Sequence, residues 1–199
     1  MPQLFAISVM RWNVEAPPTL LFMDFELSSF SFFKRPTIKE LVTFFCRQVV
    51  QRTKPGEKNV VDQGDYVCHC FVSGDRLASA IITDKDYPTR VGLSLAALTM
   101  REFNNQHSDN WQGQTHDVQL DTPALHTLLE KYQKPDEADN IMKIQKELDD
   151  VKEILHKSME DLLTRGDKLE NIIEKSEDLS ASSKQFLWQA KKTNSCCGY

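Results

Sequence analysis

The sequence predicts an α+β domain: one five-stranded antiparallel sheet with helices on both faces, followed by a long α-helical segment of coiled-coil type. Three observations carry this. Short apolar runs bounded by turn residues come in the order two strands, helix, three strands. Longer stretches between and after them repeat apolar residues at helical spacing. Beyond Pro135 the apolar residues recur about every 3.5 positions, the period of a left-handed supercoil rather than of a globular helix.

Leu4 to Trp12 carries Leu4, Phe5, Ile7 and Val9 and reads as a buried strand; after Pro17-Pro18, Thr19 to Leu27 is the second. A loop rich in Ser and Phe runs from Ser28 to Pro36. Thr37-Ile38-Lys39-Glu40 then has the form of a capping box, and Ile38, Leu41, Val42, Phe45 and Val49 give the helix behind it one apolar face. Asn59 to Asp62 is a short strand, and Tyr66 to Val72 and Leu77 to Thr83 flank Ser73-Gly74-Asp75 as a hairpin. Pro88 sits at a first helical turn, and Val91, Leu95, Leu98 and Phe103 outline a helix to about Gln106. A short helix over Thr122 to Tyr132 ends at Pro135.

Composition narrows the function. Of 199 residues, 40% are hydrophobic and 27% charged, as in a folded soluble chain, and the net charge of −5 offers no basic footprint for nucleic acid. No run of 18 apolar residues or secretory signal is present, and five cysteines in no framework spacing suggest reduced thiols in the cytosol. Cys68-His69-Cys70 holds metal-type residues, but on a strand the cysteines face one way and the histidine the other, with no second pair at zinc spacing. No phosphate-binding glycine loop and no Ser-His-Asp arrangement stands out, so no catalytic residue, metal site or cofactor is expected.

The stripe beyond Pro135 comprises Ile141, Ile144, Leu148, Val151, Leu155, Ser158, Leu162, Arg165, Leu169, Ile172, Ser176, Leu179, Ser183, Phe186, Ala190 and Thr193. Between these positions the chain is almost wholly polar, so the helix has nothing of its own to bury the stripe against and needs partners. Arg165 is the charged member. A guanidinium in a dehydrated seam costs several kcal/mol unless its donors are satisfied. Either partner helices supply acceptors at this level and Arg165 marks register, or the side chain snorkels out of a loose coiled coil. Gly166 beside it either allows close approach of another backbone or simply lowers the helicity of the free segment.

Leu162-Leu163-Thr164-Arg165-Gly166-Asp167-Lys168-Leu169-Glu170 resembles the centre of an R-SNARE motif of the synaptobrevin-like class. Ser28-Ser29-Phe30-Ser31-Phe32-Phe33, Tyr66-Val67-Cys68-His69 and Asp86-Tyr87-Pro88-Thr89-Arg90-Val91 resemble the longin domain of the lipid-anchored R-SNARE that lacks a membrane span. The resemblance implies a profilin-like longin domain over residues 1–133, a linker over 134–140, the R-SNARE coiled-coil motif over 141–193 and a lipidated tail over 194–199. It implies that Arg165 is the central ionic layer, met by three glutamines from Qa, Qb and Qc SNARE helices, and that the other stripe positions are the bundle's layers. A hydrophobic longin surface would receive the SNARE segment or the lipid; Phe44, adjacent to the core candidate Phe45, is the candidate for it. The implied function is vesicle docking and fusion in ER–Golgi, intra-Golgi, endosomal, vacuolar, lysosomal or autophagosomal transport. The protein would divide between the cytosol and the cytoplasmic face of those membranes. The first alternative is a longin-type adaptor or tether whose coiled coil forms no SNARE bundle; the second, a cysteine-dependent acyltransferase, has no supporting context around Cys46, Cys68 or Cys70.

Cys196 and Cys197 follow Lys191-Lys192 on a polar tail, and the resemblance implies prenylation of one and palmitoylation of the other, two chains being needed for stable anchoring. The family ending has three residues after the second cysteine, whereas Gly198-Tyr199 follow Cys197 here, so either prenylation moves to Cys196 or this ending is an impaired variant of the box. Ser176 and Ser183 lie on the stripe and are candidate phosphorylation sites. A phosphate there would add about −1.5 to −2 charge to a surface that has to dehydrate.

Overall fold

The computed structural model describes residues 2–108, 110–135, 154–163 and 168–195, with side chains as far as Gln189. The five expected strands are β1 (Leu4–Arg11), β2 (Thr19–Phe25), β3 (Lys58–Gln63), β4 (Tyr66–Val72) and β5 (Leu77–Asp84). They form an antiparallel sheet in the order β2-β1-β5-β4-β3. Helix α1 (Arg35–Arg52) covers one face, and α2 (Thr89–His107) with α3 (Pro123–Lys131) covers the other.

Strand alternation builds the two cores. Ala6, Met10, Cys68, Cys70, Val72, Ala78, Ala80 and Ile82 point to α1 and meet Phe45, Cys46, Val49 and Val50. Leu4, Ile7, Val9, Ile81 and Leu77 point to α2 and α3 and meet Val91, Leu95, Met100 and Phe103. Cys46, Cys68 and Cys70 are buried free thiols. Burial pushes the Cys70 thiol up to about 12 and also raises that of Cys68, so both are held as neutral packing groups. His69 lies on the opposite face, fully buried, with Nε2 3.0 Å from Thr83 Oγ1. Its ring fills the space above Gly92 of α2, where a Cβ would come within 2.5 Å of it. Among the described residues no group of His, Cys, Asp and Glu is arranged to hold a metal.

Two expectations are corrected. Thr37 to Glu40 is not a capping box: α1 already begins at Arg35 with Pro36 in its first turn, no side chain caps it, and Glu40 is occupied elsewhere. Proline has preset the helical φ two residues early, leaving Thr37 inside the helix. The second concerns the heptad segment. Its described part is helical in α4 (Met159–Leu162), α5 (Leu169–Lys175) and α6 (Ala181–Ser195), but Ile154–Ser158 is a sixth strand, β6. β6 lies parallel to β3, pairing Lys58 with Ile154 through Asp62 with Ser158, which makes the sheet mixed and not purely antiparallel. The helix breaks at Leu163, Lys168 and Ser176, all with extended backbone. A lone amphipathic helix gains little in water, whereas the open edge of β3 offers backbone hydrogen bonds and α1 offers an apolar face.

Candidate functional site

The functional feature assembled by the fold is the contact between α1 and the heptad segment. On α1, Glu40, Phe44 and Arg47 recur at i, i+4 and i+7 and form one stripe, 100° per residue away from the Phe45 and Val49 face that packs on the sheet. Adjacent Phe44 and Phe45 therefore serve different neighbours. Phe45 belongs to the sheet core, while Phe44 is only 6% exposed because Ile173 and Leu179 cover it, with Leu41, Leu169, Ile172 and Leu187 around them.

Two polar contacts bracket this cluster. The Arg47 guanidinium donates from Nε and Nη2 to both carboxylate oxygens of Asp178, at 2.8 and 2.9 Å. Nη2 also reaches Asp117 at 2.7 Å, and Nη1 donates to the Pro18 carbonyl. Burial disfavours the charge on Arg47, but hydrogen bonds to Asp117 and Asp178 outweigh it and hold the guanidinium protonated. Asp117 is likewise pushed up by burial and drawn below the usual carboxylate range by Arg47 and the Leu20 N–H. At the other end the Ser180 N–H donates to Glu40 at 2.8 Å. That bond and one from the Ser183 hydroxyl hold the Glu40 carboxyl below its ordinary value.

Where the chain enters the contact, Ser158 caps α4: its Oγ accepts from the Asp161 N–H, and the Asp161 carboxylate accepts from the Ser158 N–H. That box turns β6 directly into α4, and Met159 and Leu162 drop into the core beneath α1. Ile154 joins Val60, Val67 and Leu93 on the opposite face of the sheet.

The predicted layer positions are thus treated unequally. Leu162, Leu179 and Ser183 are buried, Leu155, Ser158, Leu169, Ile172 and Ser176 are half-buried, and Phe186 is 41% exposed. The backbone of Ala190 and Thr193 lies in α6. Ile141, Ile144, Leu148, Val151, Arg165, Cys196 and Cys197 lie outside the described residues. Met159 and Ile173, which are off the stripe, are buried instead. Sequence reasoning missed them, together with Glu40, Arg47 and Asp178; the i, i+4, i+7 spacing of Glu40, Phe44 and Arg47 was the available signal. Between α1 and the segment a cavity of about 470 Å³ stays open, lined by Phe30, Ile38, Leu41, Phe44, Ile173 and Phe186 among others.

A chain that folds its own heptad stripe onto a sheet domain matches two family descriptions. Residues 27–129 match the longin family, described as a regulated-SNARE-like domain, and residues 140–196 match synaptobrevin. The chain belongs to the longin R-SNARE family. This longin R-SNARE is 42% identical over 196 residues to "Synaptobrevin homolog ykt6" of Schizosaccharomyces pombe, covering 98% of each chain. It is 43% identical over 200 residues to "Putative synaptobrevin homolog YKT6" of Dictyostelium discoideum, covering 99% of each, and 42% over 175 residues to "Synaptobrevin homolog YKT6" of Saccharomyces cerevisiae, covering 86% of this chain and 87% of that one. R-SNAREs act in vesicle trafficking through partner SNARE helices and are not enzymes. Among the described residues no helix is long and apolar enough to cross a membrane.

Proposed function

We propose that this longin R-SNARE alternates between the closed form described above and a four-helix bundle with three glutamine-bearing helices, Qa, Qb and Qc, whose glutamines meet Arg165. The observation that carries this reading is double use of one surface: Leu162 and Leu179 are heptad-stripe residues and are buried against the longin domain. The two partnerships therefore exclude each other, and release of the segment from α1 and β3 precedes zippering. Zippering draws two bilayers together, and no catalysis is required.

Membrane attachment in this reading rests on lipids at Cys196 and Cys197. The apolar cavity supports it: its volume lies in the range of ligand sites, and Phe186 and Leu187, which line it, stand about ten residues before the cysteines. A chain-borne lipid lodged there keeps the closed form in the cytosol, and its release places the protein on Golgi, ER, endosomal or vacuolar membranes. Phosphorylation at Ser183, fully buried beside Glu40, or at half-buried Ser176 adds negative charge to the closed contact and opens it.

Arg165→Ala should disturb assembly with glutamine-layer helices, and a compensating change in a partner layer should restore it. Assembly that is undisturbed or improved favours the tether reading instead. Intact mass of the C-terminal peptide from protein made in eukaryotic cells shows whether Cys196 or Cys197 carries lipid; bare thiols on both would refute the anchor.

A further inference from the structure

The loop between β2 and α1 displays two large aromatic side chains to solvent and holds them there. Phe32 is 74% and Phe33 89% exposed, the most exposed large hydrophobic residues among those described. Their rings make an edge-on contact at 5.9 Å, forming one apolar projection. The loop beneath is tied down. The Phe30 ring packs on Phe5, the Phe30 N–H donates to the Leu27 carbonyl, and the Lys34 N–H donates to the Ser31 carbonyl in a 3-10 turn over Phe32–Lys34. Arg35 Nε donates to the Phe30 carbonyl at 3.1 Å. A structure that fixes two phenylalanines outward by backbone and arginine bonds is organised for contact rather than frayed.

The segment that carries the projection is basic, although Glu26 lies near Arg35 and Asp65 lines the same cavity as Lys34. Residues 27–39 contain Lys34, Arg35 and Lys39 and no Asp or Glu. The flanking carboxylates are held in place: Glu26 accepts from the Ser28 N–H and Glu40 from the Ser180 N–H. Exposed Lys34 also lines the apolar cavity between α1 and the SNARE segment, as do Phe30 and Phe186, so the projection borders the cavity's rim.

We infer that Phe32, Phe33 and Lys34 form a membrane-contact site of the longin domain, with the rings entering the interfacial region of an anionic leaflet and Lys34 meeting its headgroups. Exposed aromatic rings beside basic groups, on a segment that itself carries no acid, suit that interface, where amphipathic side chains settle and each basic residue gains from anionic lipid. Contact here sets the rim of the cavity against the bilayer, so that whatever apolar group the cavity holds faces its destination without crossing water. The contact does not depend on lipid at Cys196 or Cys197, although its role at the cavity rests on the anchor reading.

The test uses the full chain carrying Cys196→Ser and Cys197→Ser, so that lipidation plays no part, and cosedimentation with phosphatidylcholine vesicles with or without phosphatidylserine. The expected result is binding to the phosphatidylserine vesicles, reduced about tenfold by Phe32→Ser with Phe33→Ser and roughly fivefold by Lys34→Gln. Val14→Ser, which alters another exposed apolar residue in the β1–β2 connection, should leave binding unchanged. All three sites are at the surface, and unchanged circular dichroism shows that the fold is intact. A parent chain that stays in the supernatant with both vesicles, or a Phe32/Phe33 variant that binds as the parent does, overturns the inference. Neither result touches the anchor reading, which the mass of the C-terminal peptide tests separately.

Discussion

Ile173→Ala separates the closed form from the bundle. Ile173 is 5% exposed, sealed against Phe44 and Leu179, yet it lies one residue off the stripe that carries Ile172. Truncation removes three carbons from that contact, roughly 2.4 kcal/mol at about 0.8 kcal/mol per buried carbon, near the low end of measured Ile-to-Ala losses. A shift of that size raises the open population about 60-fold if the open state leaves the side chain in water. Amide hydrogen exchange read at β6 (Ile154–Ser158), whose bonds to β3 exist only while the segment is docked, should accelerate by a similar factor. Assembly with glutamine SNARE helices should become faster, with the finished bundle no less stable. Ile172→Ala, on the stripe and only half-buried in the closed form, should instead weaken the bundle. If Ile173→Ala leaves exchange at β6 unchanged, or destabilises the bundle as Ile172→Ala does, the assignment of the two faces is wrong.

Three further outcomes follow from the same geometry. Arg47→Ala leaves Asp178, whose side chain is 13% exposed, without its bidentate partner, and should cost roughly 3–5 kcal/mol in thermal unfolding, whereas Asp178→Ala should loosen only the docked segment. Gly92→Ala should destabilise the longin domain by about 1–3 kcal/mol because the new methyl meets the His69 ring, and His69→Ala should relieve it in a double-mutant cycle. Burial, with a smaller contribution from His156, pulls the His69 pKa down from 6.5 to about 4. A depressed histidine favours folding fully above pH 6.5 and loses that contribution as pH falls toward 4, about 3 kcal/mol in all. Asp117 is also depressed and weakens the fold in the same direction at lower pH, so denaturant midpoints should drop on acidification, and His69→Gln should flatten the upper part of that slope.

The five strands and three helices of the longin domain were legible because each apolar run alternates or repeats with a clear period and ends at a proline, glycine or serine cluster. The heptad stripe was equally legible, but what it does alone was not. Periodicity specifies a surface to be buried without naming what buries it, and β6 exists because β3 has a free edge that no local pattern in Ile154–Ser158 announces. The same limit hid Met159 and Ile173, which look solvent-facing on a heptad wheel and are buried once the helix breaks at Leu163 and Lys168. Glu40 was misread for a related reason: a Thr-x-x-Glu pattern at a helix start has a local explanation, and its real partner, Ser180, is 140 residues away. The Cys68-His69-Cys70 run was resolved correctly because strand alternation alone places the thiols and the imidazole on opposite faces.

On the proposed function Ile154–Ser158 is a strand in the closed form and helical in the bundle, and backbone carbon chemical shifts of these residues in the full chain distinguish the two. Extended-strand shifts are expected for the chain alone and helical shifts after addition of three glutamine SNARE helices. Helical shifts without partners, or extended shifts that persist in the assembled complex, would contradict the proposed function.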